Sequence, residues 1–180
     1  LFVVVLVVVE VVAGLALVNP SAVLAAALAR QAYLEAVQGW MASRHGWTVE
    51  TGHIFTTHGL VNGTSMCVDT FTKPGDHVVL TTPVYHAFAR VIKAGGRDVT
   101  ECPLVVRDGQ QTMDFAAWDA QMTGREKMLI LCSPHNPGGR VWSRDELRAI
   151  ADFCKRHDLI LVSDEIHHDL VFPGQHHTVM

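Results

Sequence analysis

The chain has 180 residues, of which 49% are apolar, 18% charged and 7% aromatic. This length and apolar content are sufficient for one hydrophobic core and argue against global disorder. The net charge of −4 gives no electrostatic support for binding a nucleic-acid backbone. Four cysteines, spaced 35, 30 and 22 residues apart, form no CxxC pair, so a zinc knuckle or a dithiol redox motif is not indicated. We expect reduced, buried thiols in a cytoplasmic protein.

The first 18 residues form an apolar run that contains a single charged residue, Glu10. Its length would suit a membrane-spanning helix, but an ionisable group in the middle of such a helix is costly. The first basic residue is Arg30, which argues against a secretory signal. Six valines among the first nine residues favour a buried strand, and an unreliable stretch of sequence is the remaining interpretation. Because the chain starts without methionine and stops at Met180, soon after a strong motif, we expect a fragment.

Helical and strand patterns alternate along the rest of the chain. Two helices are predicted over residues 22–30 and 33–44. Strands are predicted over 53–57, 77–82, 97–104, 128–132 and 159–162, and helices over 64–72 and 85–94. Two further helices are predicted after 97–104 and 128–132, the first capped by Asp114 and the second opened by a capping box of Ser143 and Glu146.

This alternation predicts an α/β fold, with three layers (α/β/α) and a mostly parallel sheet. The strand candidates are apolar throughout, as is typical of strands buried on both faces by crossover helices. Ligands of such sheets bind beyond the carboxyl ends of the strands. Polar and ring-bearing residues follow four of the strand candidates, over residues 58–63, 83–86, 133–139 and 163–168. We therefore expect a ligand site at this edge.

Two of these segments carry groups suited to a charged ligand. Gly59 to Val61 lead into a helix start, whose free N–H groups favour a phosphate; an ordinary tight turn is the alternative. Asp164 ends an apolar strand, where a buried carboxylate needs a partner. That partner could be a cationic ring nitrogen of a ligand, a helix N-terminus or an arginine.

Two other residues have similarly open interpretations. Asn136 lies in a loop between Pro134 and Pro137, which would stiffen the loop and aim the amide, although Asn-Pro is also common in simple turns. Tyr85 follows a strand, where its ring could stack on a flat ligand or belong to the core.

Taken together, these segments resemble the fold-type I enzymes that use pyridoxal 5′-phosphate (PLP). The resemblance covers about residues 50 to 177 and is carried by LCSPHNPGGRVW (131–142), VSDEIH (162–167) and TPVYHAF (82–88). Within this superfamily of class I/II aminotransferases, the chain is most similar to the cystathionine β-lyase-like C–S lyases of the MalY/PatB type. His167 is the discriminating residue, since aminotransferases usually have tyrosine there. The resemblance implies that the chain is an incomplete PLP-dependent transferase-like large domain.

The resemblance also implies which residues contact the cofactor. The backbone N–H groups of Leu60 and Val61, beside Gly59, would bind the phosphate. Tyr85 would stack on one face of the pyridine ring and Ile166 would press on the other.

The polar atoms of the ring would have their own partners. Asn136 would hydrogen-bond the ring oxygen, near which His167 would also lie. Asp164 would pair with the protonated ring nitrogen and so keep the ring able to accept electrons.

The sequence departs from the family in what it lacks. The lysine that forms the Schiff base would follow Met180, because the chain's lysines are upstream and in the wrong contexts; the catalytic residue is therefore unknown. The arginine that clamps the substrate carboxylate would also lie beyond the end. A Gly-Tyr segment that reaches a neighbouring subunit's phosphate is missing near Arg30.

The leading functional prediction is a PLP-dependent C–S β-lyase that acts on cystathionine-like or cysteine S-conjugate amino acids and releases pyruvate, ammonia and a thiol. The alternatives are an aminotransferase, a non-catalytic fragment, and a metal-binding module prompted by eleven histidines, notably His167-His168 and His176-His177. We expect a cytoplasmic homodimer with a small-molecule substrate, no membrane or nucleic-acid partner and no metal. Residues 1–45 would be an N-terminal segment and 46–180 part of the PLP-binding domain.

Overall fold

A computed structural model describes residues 3–6 and 20–180, with side chains described from residue 28 onward. The chain divides into two compact units, Leu1–Val8 with Gly59–Met180, and Val9–His58. No helix among the described residues is long and apolar enough to cross a membrane.

In the Val9–His58 unit, the described residues 20–58 form one long helix, α1 (Pro20–His45), and a 3-10 helix, Thr51–His53. The two helices predicted over 22–30 and 33–44 are thus one, because the junction around Gln31 holds good helix formers and no glycine or proline. The strand predicted over 53–57 is wrong. A segment with strand propensity forms a strand only where a neighbouring strand pairs with it. Residues 53–57 pair with no described strand, and the side chain of Phe55 is 82% exposed.

The described residues of the larger unit form a sheet of five strands, all parallel. In chain order they are β1 (Val3–Leu6), β2 (His77–Leu80), β3 (Asp98–Glu101), β6 (Glu126–Cys132) and β7 (Ile160–Asp164). Their spatial order is β1-β7-β6-β2-β3. The valine-rich run therefore contributes a strand over Val3–Leu6, and the rest of that run lies outside the described residues.

Four helices cover the sheet: α2 (Leu60–Phe71), α3 (Ala87–Ala94), α4 (Phe115–Asp119) and α5 (Arg144–Arg156). Alternate strand residues face opposite sides. Val78 and Leu80 pack in a core with residues of α2 and α3, whereas Val79 packs in a second core with residues of α4 and α5. The predicted three-layer α/β/α arrangement with a parallel sheet is confirmed.

The predicted helix caps are also confirmed. The Asp114 side chain accepts a hydrogen bond from Ala117 N–H at 3.2 Å. Ser143 and Glu146 form both bonds of a capping box, with N–H···O distances of 3.2 and 2.8 Å. All four cysteines are free and buried, as expected.

One element was missed by the sequence patterns. The strand predicted over 97–104 ends at Glu101 and is followed by an antiparallel hairpin of β4 (Val105–Arg107) and β5 (Gln110–Thr112). Its two-residue turn, Asp108-Gly109, has φ values of 51° and 75°. An Asp-Gly pair favours this left-handed turn and is the signal that could have predicted the hairpin.

Candidate functional site

The site candidates gather at the carboxyl edge of the sheet. Asp164, the last residue of β7, is in register with Cys132, the last residue of β6. The pairing continues one residue further, because Ser133 N–H donates to the Asp164 carbonyl oxygen at 2.9 Å. The loops that follow β2, β6 and β7 therefore start side by side.

Gly59 is positioned by a helix: it follows no strand among the described residues and directly precedes α2. Its φ of 80° and ψ of 156° lie in a region that favours glycine. The helix begins at Leu60 instead of residue 64, so the first-turn N–H groups belong to Leu60 and Val61. Leu60 packs in the same core as Cys132 and Val162, which brings the start of α2 to the carboxyl edge.

Tyr85 lies between β2 and α3, and its helix starts two residues later than predicted. It is half-buried and packs against the core that contains Leu60 and Cys132. Its ring makes edge contacts with His86 and Phe88, with centroids 5.0 and 5.7 Å away. The ring is thus held in place without being enclosed.

The Asn-Pro loop is attached to the end of β6 by a buried thiol. Cys132 Sγ accepts a hydrogen bond from Asn136 N–H at 3.3 Å and donates to the Pro134 carbonyl oxygen at 3.4 Å. Burial, with a smaller contribution from the charge of Asp164, raises the pKa of Cys132 to about 12. The thiol therefore stays protonated at neutral pH and joins Asn136 to the strand that pairs with Asp164.

Asp164 is 2% exposed. Its Oδ1 accepts a hydrogen bond from Ile166 N–H at 3.1 Å. Among the side chains described, those of residues 28–180, no Lys, Arg or His nitrogen lies within 4 Å of its carboxylate. Burial raises the pKa of Asp164 to about 6, the Ile166 hydrogen bond lowers it and the charge of Glu165 raises it. Asp164 is thus a buried carboxylate with unused acceptor capacity.

Ile166 and His167 follow Asp164 in a turn. Ile166 is 42% exposed, and His167 is half-buried. His167 and Asn136 both line a cavity of about 850 Å³, whose other walls come from the β4–β5 turn and residues 170–175. Gly59, Leu60, Val61, Tyr85, Asp164 and Ile166 do not line that cavity.

The four lysines of the chain lie at the opposite, amino edge. Each is exposed, and each precedes a strand or stands at its start: Lys73, Lys93, Lys127 and Lys155. None is therefore available to a ligand held beside Asp164.

The paired histidines do not form one ligand set. His167 faces the cavity and His176 is exposed. His168 and His177 are buried, and each hydrogen-bonds Glu165, the first to its carbonyl oxygen at 2.6 Å and the second to its carboxylate at 2.9 Å. Glu165 also accepts from Ser163 Oγ and Met180 N–H, at 2.8 and 3.0 Å. The sequence patterns did not single out this buried network.

Comparison with known proteins first defines the class. The family described as aminotransferase class I and II matches residues 25–180. The chain belongs to this family, and the PLP-dependent transferase-like fold predicted from its sequence is confirmed.

Particular relatives narrow the comparison. Cystathionine beta-lyase PatB of Bacillus subtilis (strain 168) is 43% identical over 145 residues, which are 80% of this chain and 38% of PatB. Protein MalY of Escherichia coli (strain K12) is 32% identical over 81% of this chain and 37% of MalY. The crystal structure of cystalysin from Treponema denticola, which contains PLP, is 46% identical with a TM-score of 0.78, covering 82% of this chain and 38% of that chain. The chain thus spans less than two fifths of the length of these relatives.

Proposed function

We propose that residues 46–180 are part of the cofactor-binding domain of a PLP-dependent C–S β-lyase. The observation that carries the proposal is Asp164, a carboxylate buried at the carboxyl edge of the sheet with no described cationic partner within 4 Å. The similarity to PatB, a cystathionine beta-lyase, supports the reaction class.

The chemistry of Asp164 fits the pyridine ring of PLP. Burial raises the pKa of Asp164 and so disfavours its ionised form. A nearby cation would stabilise that ionised carboxylate and lower its pKa. When bound, PLP supplies an electron sink for the charge that develops at Cα of an amino-acid substrate. Asp164 would hold a proton on the ring nitrogen and so keep that sink effective.

The other groups would hold the cofactor around this pair. The first-turn N–H groups of Leu60 and Val61, after the glycine turn at Gly59, would bind the phosphate. Tyr85 and Ile166 would cover the two faces of the ring. The restraint on the Tyr85 ring and the partial exposure of Ile166 support these roles.

Asn136 and His167 would act near the ring oxygen. Both line the same cavity, which supports a shared ligand. Asn136 would donate a hydrogen bond from its amide, and Cys132 would hold its backbone in place. None of the four lysines of the chain would form the Schiff base, because all of them lie at the other edge of the sheet.

An aminotransferase is the alternative, supported by the family that the chain belongs to. Both activities would start with removal of the Cα proton and differ in the fate of the substrate. The lyase would expel a thiol from Cβ, and one water would hydrolyse the remaining enamine to pyruvate and ammonia, whereas the aminotransferase would need a keto acid as amino-group acceptor.

We further propose that the complete protein is a cytoplasmic homodimer whose partner is a small-molecule amino-acid substrate. Free, buried cysteines support the compartment. Leu170 and Phe172, 77% and 84% exposed beside the cavity, support a further covered surface there.

The deciding experiment incubates the complete protein and PLP with cystathionine or a cysteine S-conjugate, with and without a keto-acid acceptor. Pyruvate and thiol released in equal amounts without acceptor are the expected result. Turnover that depends wholly on the acceptor would replace the lyase by the aminotransferase, and no turnover of either kind would contradict both.

A further inference from the structure

His135 links the two loops that carry Tyr85 and Asn136. Its imidazole is 2% exposed, and Nε2 lies 2.9 Å from the carbonyl oxygen of Pro83, which is 52 residues away in sequence. Pro83 is two residues before Tyr85, and Asn136 is the next residue after His135. One side-chain hydrogen bond therefore spans the loops after β2 and β6.

The backbone of His135 closes its own loop at the same time. Its N–H donates to the Arg140 carbonyl oxygen at 2.7 Å, and its carbonyl oxygen accepts from Gly139 N–H at 2.8 Å. The imidazole also packs against the Trp142 ring, with centroids 5.4 Å apart. Trp142 is itself held by a 2.9 Å bond from Nε1 to the Cys132 carbonyl oxygen. His135 is thus fixed relative to the end of β6.

The hydrogen bond also defines the form of the imidazole. A carbonyl oxygen only accepts, so Nε2 must carry the proton and donate it to Pro83. Burial lowers the pKa of His135, the hydrogen bond to the Pro83 carbonyl raises it, and the charge of Arg140 lowers it further. The group that bridges the loops is therefore a neutral imidazole.

We propose that His135 is a positioning residue that sets the spacing between Tyr85 and Asn136 through its hydrogen bond to Pro83. The inference rests on the proposed function, in which Tyr85 stacks on the PLP ring and Asn136 donates to the ring oxygen. A single rigid donor would hold these two groups at the separation that the flat ring requires.

The experiment uses the complete protein and measures the Kd for PLP together with the circular dichroism induced in the cofactor absorption band. His135→Phe keeps a ring but removes the donor, and His135→Gln restores a donor at similar reach. We expect about a tenfold rise in Kd and a weaker induced signal for His135→Phe, the effect of one buried hydrogen bond, and a change within about threefold for His135→Gln. If His135→Phe does not fold, His135→Asn replaces it, since its amide stops short of the Pro83 oxygen.

His157→Phe is the matched control. His157 also makes one side-chain hydrogen bond, Nε2 to Asp119 at 2.7 Å, but at the end of α5, on the amino edge. We expect it to leave both readouts unchanged. The inference is overturned if His135→Phe binds PLP with wild-type Kd and signal, if His135→Gln is as impaired as His135→Phe, or if the control shows the same loss.

Asp164→Ala, measured in parallel, separates this inference from the proposed function. If Asp164→Ala weakens PLP binding and His135→Phe does not, only the positioning role of His135 fails. If Asp164→Ala leaves PLP binding unchanged, the proposed cofactor site itself fails.

Discussion

Two buried carboxylates stand at opposite edges of the same sheet. Glu126 begins β6 at the amino edge and is 3% exposed; Asp164 ends β7 at the carboxyl edge and is 2% exposed. Glu126 accepts hydrogen bonds from the N–H groups of Thr123 and Gly124, both at 3.0 Å, and from Thr100 Oγ at 2.9 Å. For Asp164, the described residues supply Ile166 N–H at 3.1 Å.

The difference in donors reverses the direction of the pKa. Burial raises the pKa of Glu126, but hydrogen bonds from the backbone N–H groups and from Thr123 and Thr100 outweigh it, so the net pKa is lowered. Burial of Asp164 is offset only in part, by the hydrogen bond from Ile166 N–H, and its pKa rises to about 6. Similar small exposed fractions therefore accompany a completed structural contact at one edge and, at the other, a more deeply desolvated carboxylate with unused acceptor capacity.

The largest expected effect concerns the reaction of PLP with lysine, because the four lysines lie at the amino edge and not beside Asp164. Residues 1–180 expressed alone, incubated with PLP and reduced with borohydride, should show no pyruvate release and no stoichiometric label on any one lysine. Lys73, Lys93, Lys127 and Lys155 are exposed at the amino edge and should label weakly and alike. Mass spectrometry of the peptides measures this; one lysine labelled to completion would contradict the assignment.

Removing the carboxyl-edge acid should cost most in the complete enzyme. Asp164→Ala takes away a buried ionic partner that matters in the transition state. The rate of pyruvate release with saturating PLP should therefore fall about a hundredfold or more, which corresponds to a rise of about 3 kcal/mol in the activation free energy. Asp164→Glu should recover little, because the longer carboxylate cannot keep the geometry. Near-wild-type turnover of Asp164→Ala would make Asp164 a structural strand-end residue.

Removing the amino-edge acid should affect stability instead. Glu126→Ala removes the acceptor of the part-buried hydrogen bonds from the N–H groups of Thr123 and Gly124, so the free energy of unfolding should fall by about 1–2 kcal/mol, measured in urea. PLP binding by the folded variant should not change. A stability equal to wild type would show that the two carboxylates do not differ as described.

Without PLP, Asp164 should destabilise the protein. Its folded pKa of about 6 exceeds the ordinary value of 3.8, so the folded state binds more protons between pH 4 and 6 and stability falls as pH rises through that window. Asp164→Asn removes this loss and should raise the free energy of unfolding by about 2 kcal/mol at pH 7–8, with little difference at pH 4. Denaturation at the two pH values tests this, and an equal effect at both would contradict it.

The smallest expected effect comes from His135. Its pKa is lowered by burial, so its contribution to stability is present above the ordinary value of 6.5 and is lost as pH falls below it. His135→Gln should make the free energy of unfolding depend less on pH in this range. Thermal unfolding measured between pH 7.5 and 5.5 tests this. A curve of unchanged slope would show that His135 is not buried as a neutral base.

Several features could be predicted from the sequence because they depend on neighbours in the chain. Asp114 and the Ser143–Glu146 pair bond to N–H groups within three residues, and both caps form. Continuous apolar runs predicted the buried parallel strands, since strands covered on both faces need them. The strand expected over 53–57 failed because β pairing requires a partner that local sequence does not reveal.

The sequence by itself determined the α/β architecture, the helix caps, and the order of the glycine turn, Tyr85, the Asn-Pro loop and Asp164. Only the tertiary structure decided which of these groups are joined. The bond from His135 to Pro83 spans 52 residues, and the pairing that brings Asp164 beside Cys132 spans 32. Tertiary structure also separated Glu126 from Asp164, because the state of a buried carboxylate depends on how many donors the folded chain brings to it. Glu126 gains Thr100, 26 residues away, in addition to donors within three residues, whereas the donor to Asp164 is the N–H of Ile166, two residues away.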